Sequence, residues 1–307
     1  FQAMSDEELT DAIPHLHVIG RVEPQDKLRL VDRMQEQGLV VAMTGDAVND
    51  AAALNKPDIG VAMGSGSEVT KQSARMILTD DNFSTLVHAV ELGRDIYEKV
   101  QTYLRYQLTG LFGVLSLMLM ATAFDVNQGV ALTPGMLLYI SLFVAVFAVL
   151  AIMRDVADPD LMRRRPRDPS VRIFNSHTGI RWLLIGLVTG FCSLAMVMWG
   201  PDDPETTVPS VSMTMAFGVA ALSGVPLSLV QRRDPTPVWV GPFWPYVGWL
   251  AVSSVLTWLA VETPALQRWL DTTTLTGNQW IIVVVVACIP ATLAEIDKAV
   301  RRARSAS

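Results

Sequence analysis

Cysteine is nearly absent from this chain. The 307 residues hold two, Cys192 and Cys288, both inside apolar runs. No CxxC pair occurs, so a thiolate metal site has no support, and both read as small apolar residues inside helices. Charge is also scarce: only 18% of residues are charged, and they crowd into roughly the first hundred positions. From about Tyr103 onward the text becomes long uncharged runs. The net charge of −6 belongs mostly to the amino-terminal part and so says little about nucleic acid; no basic stripe with interleaved aromatics appears, and no nucleic-acid partner is expected. Neither an initiator methionine nor a signal-peptide pattern opens the chain at Phe1. It is expected to be a piece of something longer.

What is present in abundance is apolar length. Half of the residues are apolar, and six stretches approach the ~20 residues that a helix needs to cross a bilayer. They are predicted at about 102–124, 133–153, 179–199, 211–230, 243–261 and 279–297. The connectors between them alternate in charge. Residues 154–181 are arginine-rich, Arg232 and Arg233 follow the fourth stretch, and Lys298, Arg301, Arg302 and Arg304 sit in the tail. The intervening connectors are bare or acidic. By the positive-inside bias the basic connectors face the cytoplasm, so both ends of the chain are expected there, around a multi-pass unit in the plasma membrane. Trp182, Trp199, Trp239, Trp244, Trp249, Trp258 and Trp280 lie near predicted span ends and read as interface anchors.

The amino-terminal part alternates helices and strands. Ser5 and Glu8 form a capping box for a first helix, and "EPQDKLRLVDRMQEQG" is a second, with Pro24 in its first turn, Leu28, Val31 and Met34 as its buried stripe and Gly38 as its stop. "HVIGRV", "LVVAM", "DIGVAMG" and "ARMIL" read as strands, "LVVAM" as one buried on both faces. Such alternation predicts an α/β layer with a mainly parallel sheet, whose ligands sit beyond the carboxyl ends of the strands. Asp46 stands at such an end in "TGDAVND", with Asn49 and Asp50 one turn on. Clustered carboxylates suit a hard ion such as Mg2+. A bland role, with Asp46 capping the next helix, satisfies the same residues. "GSGSEVTKQ" reads as a plain turn into a helix, although its amides can cradle phosphate. From about Ser84 helical spacing runs unbroken into the first predicted span.

The ordered motifs "RVEPQDK", "MTGDAVNDAAAL", "PDIGVAMGSGSEVTKQSARMIL" and "DDNFSTLVHAVELGRDIYEKV" closely resemble P-type ATPases of the calcium and sodium–potassium pump class. The resemblance covers about residues 18–110 and, more weakly, the six spans; heavy-metal pumps carry only two after this domain. It implies an α/β haloacid-dehalogenase-like partial domain over residues 1–98 followed by an all-α transmembrane bundle over 99–307. Asp46 matches the Mg2+-binding aspartate, Asp50 its supporting carboxylate, Asn49 a phosphate-contacting side chain and Lys27 the lysine that holds phosphoryl oxygens. Thr44 and Gly45 form the loop near the phosphate. An aspartate in an upstream "DKTG" motif takes the phosphoryl group from ATP in that family; neither "DKTG" nor "TGES" occurs here. The chain is therefore expected to be the carboxy-terminal part of a pump, inactive toward ATP without its upstream half. Ala47 replaces the family's usual Gly.

The spans depart further. At the family's cation-ligand positions stand Leu111 and Val114, Ser141, Val144 and Ala145, and Gly224. No Asp or Glu lies deep in any predicted span, although intramembrane acids are the usual mark of a cation path. Gln107, Thr109, Tyr139 and Ser141 are the candidates left for a transport path. The expected function is an ATP-driven pump that moves an ion through an aspartyl-phosphate intermediate. The alternatives are a non-catalytic membrane scaffold that retains the fold, or a pump of a non-cationic substrate.

Overall fold

The computed structural model describes residues 4–20, 22–168, 176–201, 209–234, 236–240 and 244–306. Arg21, Arg172, most of the acidic connector 201–210 and the first residue of the fifth predicted span lie outside them. The chain divides into two compact units. One holds Phe1–Arg94 with Asp160–Arg172, the other Asp95–Pro159 with Ile173–Ser307.

In the first unit, α1 (Asp6–Ala12) starts at Ser5, whose side chain accepts from the Glu8 amide while the Glu8 carboxylate accepts from the Ser5 amide. The predicted capping box is therefore present, satisfying amides that the first turn leaves without partners. Next, α2 (Pro24–Glu36) begins at Pro24, whose missing N–H costs nothing there, and Val31 is its buried residue. Gly38 follows the helix at φ +77. Arg29 of α2 pairs with Asp6 of α1 at 2.7 Å.

Three strands, β1 (Ala42–Gly45), β2 (Ile59–Met63) and β3 (Met76–Leu78), form a parallel sheet in the order β1-β2-β3. Parallel strands need crossovers, supplied here by α3 (Ala51–Leu54) and α4 (Glu68–Ser73). Two strand expectations are corrected. No strand forms at residues 17–20 or 22, and Val18 is 91% exposed, so an apolar run without a ladder partner stays irregular. "LVVAM" is a strand only from Ala42, and Leu39 and Val40 are exposed, because β1 is an edge strand. Central β2 is the buried one, with Val61 and Ala62 fully covered.

Helix α5 (Phe83–Ala123) is continuous over 41 residues, as the unbroken helical spacing predicted. At a rise of about 1.5 Å per residue it is about 60 Å long. The second unit is helical. Helix α6 (Pro134–Met153) contains a π turn at Ile140–Val144. It is followed by α7 (Ser176–Trp199), α8 (Val211–Gln231), α9 (Trp244–Glu262), α10 (Pro264–Leu270), α11 (Gly277–Ala287) and α12 (Ile289–Ala306). Among the described residues, five segments are long and apolar enough to cross a membrane, and up to six if the bent pair α9–α10 counts as one. That pair turns by 84° at Pro264, which has no amide with which to continue α9. Between α11 and α12 the break falls at Cys288, just before Pro290, for the same reason.

Helix α8 is buried on nearly every side, and Phe217, Met213 and Val219 anchor the core with Leu117, Met136 and Leu194. Small residues set how closely helices approach. A Cβ on Gly190 of α7 would meet the Gly113 carbonyl of α5 at 2.7 Å and the Leu117 amide at 2.9 Å. Among the tryptophans, Trp182 is buried, Trp249 stacks on Phe147, and the Trp280 indole donates to Glu262 at 2.9 Å.

Candidate functional site

The sheet of the first unit brings three of the sequence-predicted residues together. Asp46 follows β1 directly, and the chain then enters a 3-10 turn, Val48–Asp50, that buries Asp50. Gly45 makes this possible, since a Cβ there would lie 2.6 Å from the Asp50 Cβ. Lys27, on the first turns of α2, reaches across to donate from Nζ to Asp50 Oδ1 at 2.5 Å. A nearly buried carboxylate is thus compensated by an ammonium, as burial of a charge requires. Ala47 sits at φ −93 and ψ 154, so a side chain causes no backbone strain at that position.

Asp46 and Asn49 are exposed. The Asp46 side chain caps nothing, because the turn that follows has no side-chain cap. Its backbone is instead wrapped by the glycine-rich loop. The Ser67 amide donates to Asp46 O at 3.0 Å, and Thr70 Oγ1 donates to Ala47 O at 2.8 Å. Ser67 caps α4, whose first turn lies beside this loop. The donor set is therefore one open carboxylate, one carboxylate held by a lysine, and the Thr44–Gly45 strand end. Mg2+ is commonly bound by one or two carboxylates together with substrate phosphates and water. Asp46 fits that mode, with Asp50 fixing the lysine; no group of three or more metal-ligating side chains is assembled among the described residues.

The second unit contains a cavity of about 190 Å3 walled by α5, α6, α7 and α8. Leu111, Val114, Ser141, Val144, Ala145 and Gly224, named separately in the sequence, all line it. Gln107 lines it too. The other two path candidates do not. Thr109 donates to Arg105 O at 2.7 Å and sits 3.4 Å from the Gln231 amide nitrogen, whereas Tyr139 donates to Leu256 O at 2.8 Å and stacks on Phe143. The sequence reading missed Tyr106, whose ring is buried in the cavity wall against Gly224. Its phenol sits in "RYQLTG", and nothing in that stretch marks the glycine that it faces more than a hundred residues later.

Residues 129–300 match the family described as "Cation transporting ATPase, C-terminus", and residues 29–90 match haloacid dehalogenase-like hydrolases. A calcium-transporting ATPase of Bacillus subtilis (strain 168) is 33% identical over 94% of this chain and 32% of its own length. A calcium-transporting ATPase of Listeria monocytogenes is 37% identical over 76% of this chain and 26% of its own. The endoplasmic reticulum calcium ATPase srcA of Aspergillus fumigatus is 39% identical over 67% and 21%. The chain thus spans between a fifth and a third of the length of these relatives. The fold is an α/β, haloacid-dehalogenase-like unit joined to a helical unit with five to six apolar helices.

Proposed function

Because this chain belongs to the cation-transporting P-type ATPases, we propose that it works as the carboxy-terminal part of an ATP-driven pump that moves a cation across a membrane. The observation that carries this reading is the Lys27–Asp50 contact of 2.5 Å beside the open carboxylate of Asp46, beyond the end of a parallel strand. Asp46 holds Mg2+ and Lys27 holds phosphoryl oxygens. Asp50 keeps the lysine aimed, and Asn49 with the Thr44–Gly45 loop contacts the phosphate. The ion supplies positive charge that neutralises the transferring group, and phosphoryl transfer needs little beyond such charge and positioning.

In this reading the aspartate that takes the phosphoryl group, and the domain that binds ATP, belong to an upstream half of the pump; these residues alone do not turn over ATP. Helix α5 transmits the phosphorylation state into the spans, because an unbroken helix resists bending between its ends. The arginine-rich connectors lie on the cytoplasmic side of a plasma membrane. Replacing Asp46 by Asn in the complete pump is expected to lower phosphoenzyme formed from radiolabelled ATP by at least about a hundredfold, the usual scale for losing one electrostatic stabiliser. Normal phosphorylation of that variant removes Asp46 from the metal site. A second reading, a non-catalytic scaffold that retains the pump fold, is favoured by the carboxylate-free cavity. A native protein that accepts no phosphoryl group from ATP with any cation supports it.

A further inference from the structure

Building on the pump reading, we propose that the cavity between α5, α6, α7 and α8 binds a singly charged cation through neutral oxygens and rejects calcium and other divalent ions. Among the described residues, no carboxylate lines the cavity. Its polar wall consists of Tyr106, Gln107, Ser141, Thr189, Ser193 and Ser223. Four of these hydroxyls donate their protons to their own helices: Ser141 to Leu137 O at 2.9 Å, Thr189 to Ile185 O at 3.0 Å, Ser193 to Thr189 O at 3.1 Å and Ser223 to Ala220 O at 3.1 Å. Each oxygen keeps lone pairs and has no proton left to give. These four oxygens therefore present acceptors, which suit a cation.

Tyr106 points to a ligand independently. It is 8% exposed, it lines the cavity, and no described residue gives its hydroxyl a hydrogen bond. The hydroxyl opens into the cavity, so its hydrogen-bonding capacity is left for whatever occupies that space. Gly224 creates the space for it, since a Cβ there would lie 2.8 Å from Tyr106 Oη. The π turn of α6 adds a further feature. Ile140 O is paired with the amide of Ala145, five residues on, and the wider turn faces the cavity through Ile140, Ser141 and Val144. Turns of this kind recur at functional sites.

Charge decides which cation fits. The cost of dehydrating an ion scales with the square of its charge, roughly fourfold larger for a divalent ion of equal size. Calcium sites offset that cost with carboxylates among six to eight oxygens. Neutral oxygens alone suffice for weakly hydrated monovalent ions, as in filters built from carbonyls. The volume admits such an ion with several waters to complete its shell.

The test uses the protein purified from its own membranes in lipid nanodiscs, with equilibrium binding of rubidium-86 and calcium-45 measured side by side. Saturable rubidium binding that excess calcium does not displace is expected. Tyr106→Phe, which keeps the ring and removes the hydroxyl, should weaken it about fivefold, and Ala145→Asp should create calcium binding where the native protein has none. Tight calcium binding by the native protein, displacement of rubidium by calcium, or no binding of rubidium, sodium or potassium overturns the inference. Phosphorylation from ATP in the same preparation separates the two readings. Calcium-dependent phosphoenzyme leaves the pump standing and sinks the monovalent site, whereas bound rubidium with no phosphoenzyme under any cation does the reverse.

Discussion

Asp58 ties an edge strand to a helix with one carboxylate oxygen. Its Oδ2 accepts from the Val41 amide at 2.9 Å and from the Gln35 side chain at 3.1 Å. Those two donors, the backbone amide foremost, hold its carboxyl below the ordinary range, with Arg75 assisting. Asp81, accepting from the Ser65 side chain and amide, and Asp80, accepting from Thr85, are lowered likewise. A folded pKa below the unfolded one stabilises the fold above the unfolded value, and that contribution fades as pH falls through the folded value. Stability is therefore expected to hold from neutrality to about pH 5 and to decline below about pH 4. The Asp58→Asn variant should melt below the native protein at pH 7, and the gap should close on acidification. A gap that stays constant with pH in thermal melts removes Asp58 from this role. At this scale the sequence indicated residue types and not pairings: Lys27 and Asp50 are 23 positions apart, and only folding made them a 2.5 Å contact.

Glycines in the helices divide by surroundings, and so do the expected effects of filling them. Gly186 and Gly190, four apart on α7, face α5 so closely that a Cβ on Gly186 would meet the Thr109 carbonyl at 2.9 Å. Gly190→Leu is expected to force α7 from α5 and destabilise the helical unit by about 1–3 kcal/mol, the usual cost of overpacking. Gly93, inside α5 with nothing near its would-be Cβ, is the control. Gly93→Ala should be neutral or stabilising by up to about 1 kcal/mol through helix propensity. Thermal melts in detergent that rank these two variants the other way would remove the close-packing account. Length and periodicity made α5 predictable to within a residue at its start. They could not show the 84° turn into α10 or the π turn of α6, because hydropathy carries no information on helix direction or pitch.

Across the helical unit, the span ends are joined by ion pairs that no local pattern reveals. Asp155, just beyond α6, receives a bond from Arg232, just beyond α8, at 2.6 Å, and both side chains are nearly buried. Asp234 is held by Arg301 of α12 and lies 3.5 Å from Arg105 of α5. Removing one member of a buried pair strands the other charge, at a cost of about 3–5 kcal/mol. Asp155→Ala should therefore lower detergent stability by about that much, whereas Asp155→Leu combined with Arg232→Met should recover most of it. A double variant no more stable than the single one would show that the pair contributes more than mutual neutralisation.

The sequence by itself determined what depends on a few neighbouring residues. The capping box at Ser5, Pro24 at a helix start, the parallel α/β alternation and the placement of the apolar spans are all fixed within a turn or a strand length. Tertiary structure alone decided which of those segments face one another. In the helical unit lipid and protein core are equally apolar, so hydropathy does not distinguish the face of α8 that meets Tyr106 from one that meets lipid. Only packing gathers Leu111, Ser141, Ala145 and Gly224 around one cavity, and only packing leaves the Tyr106 hydroxyl pointing into it.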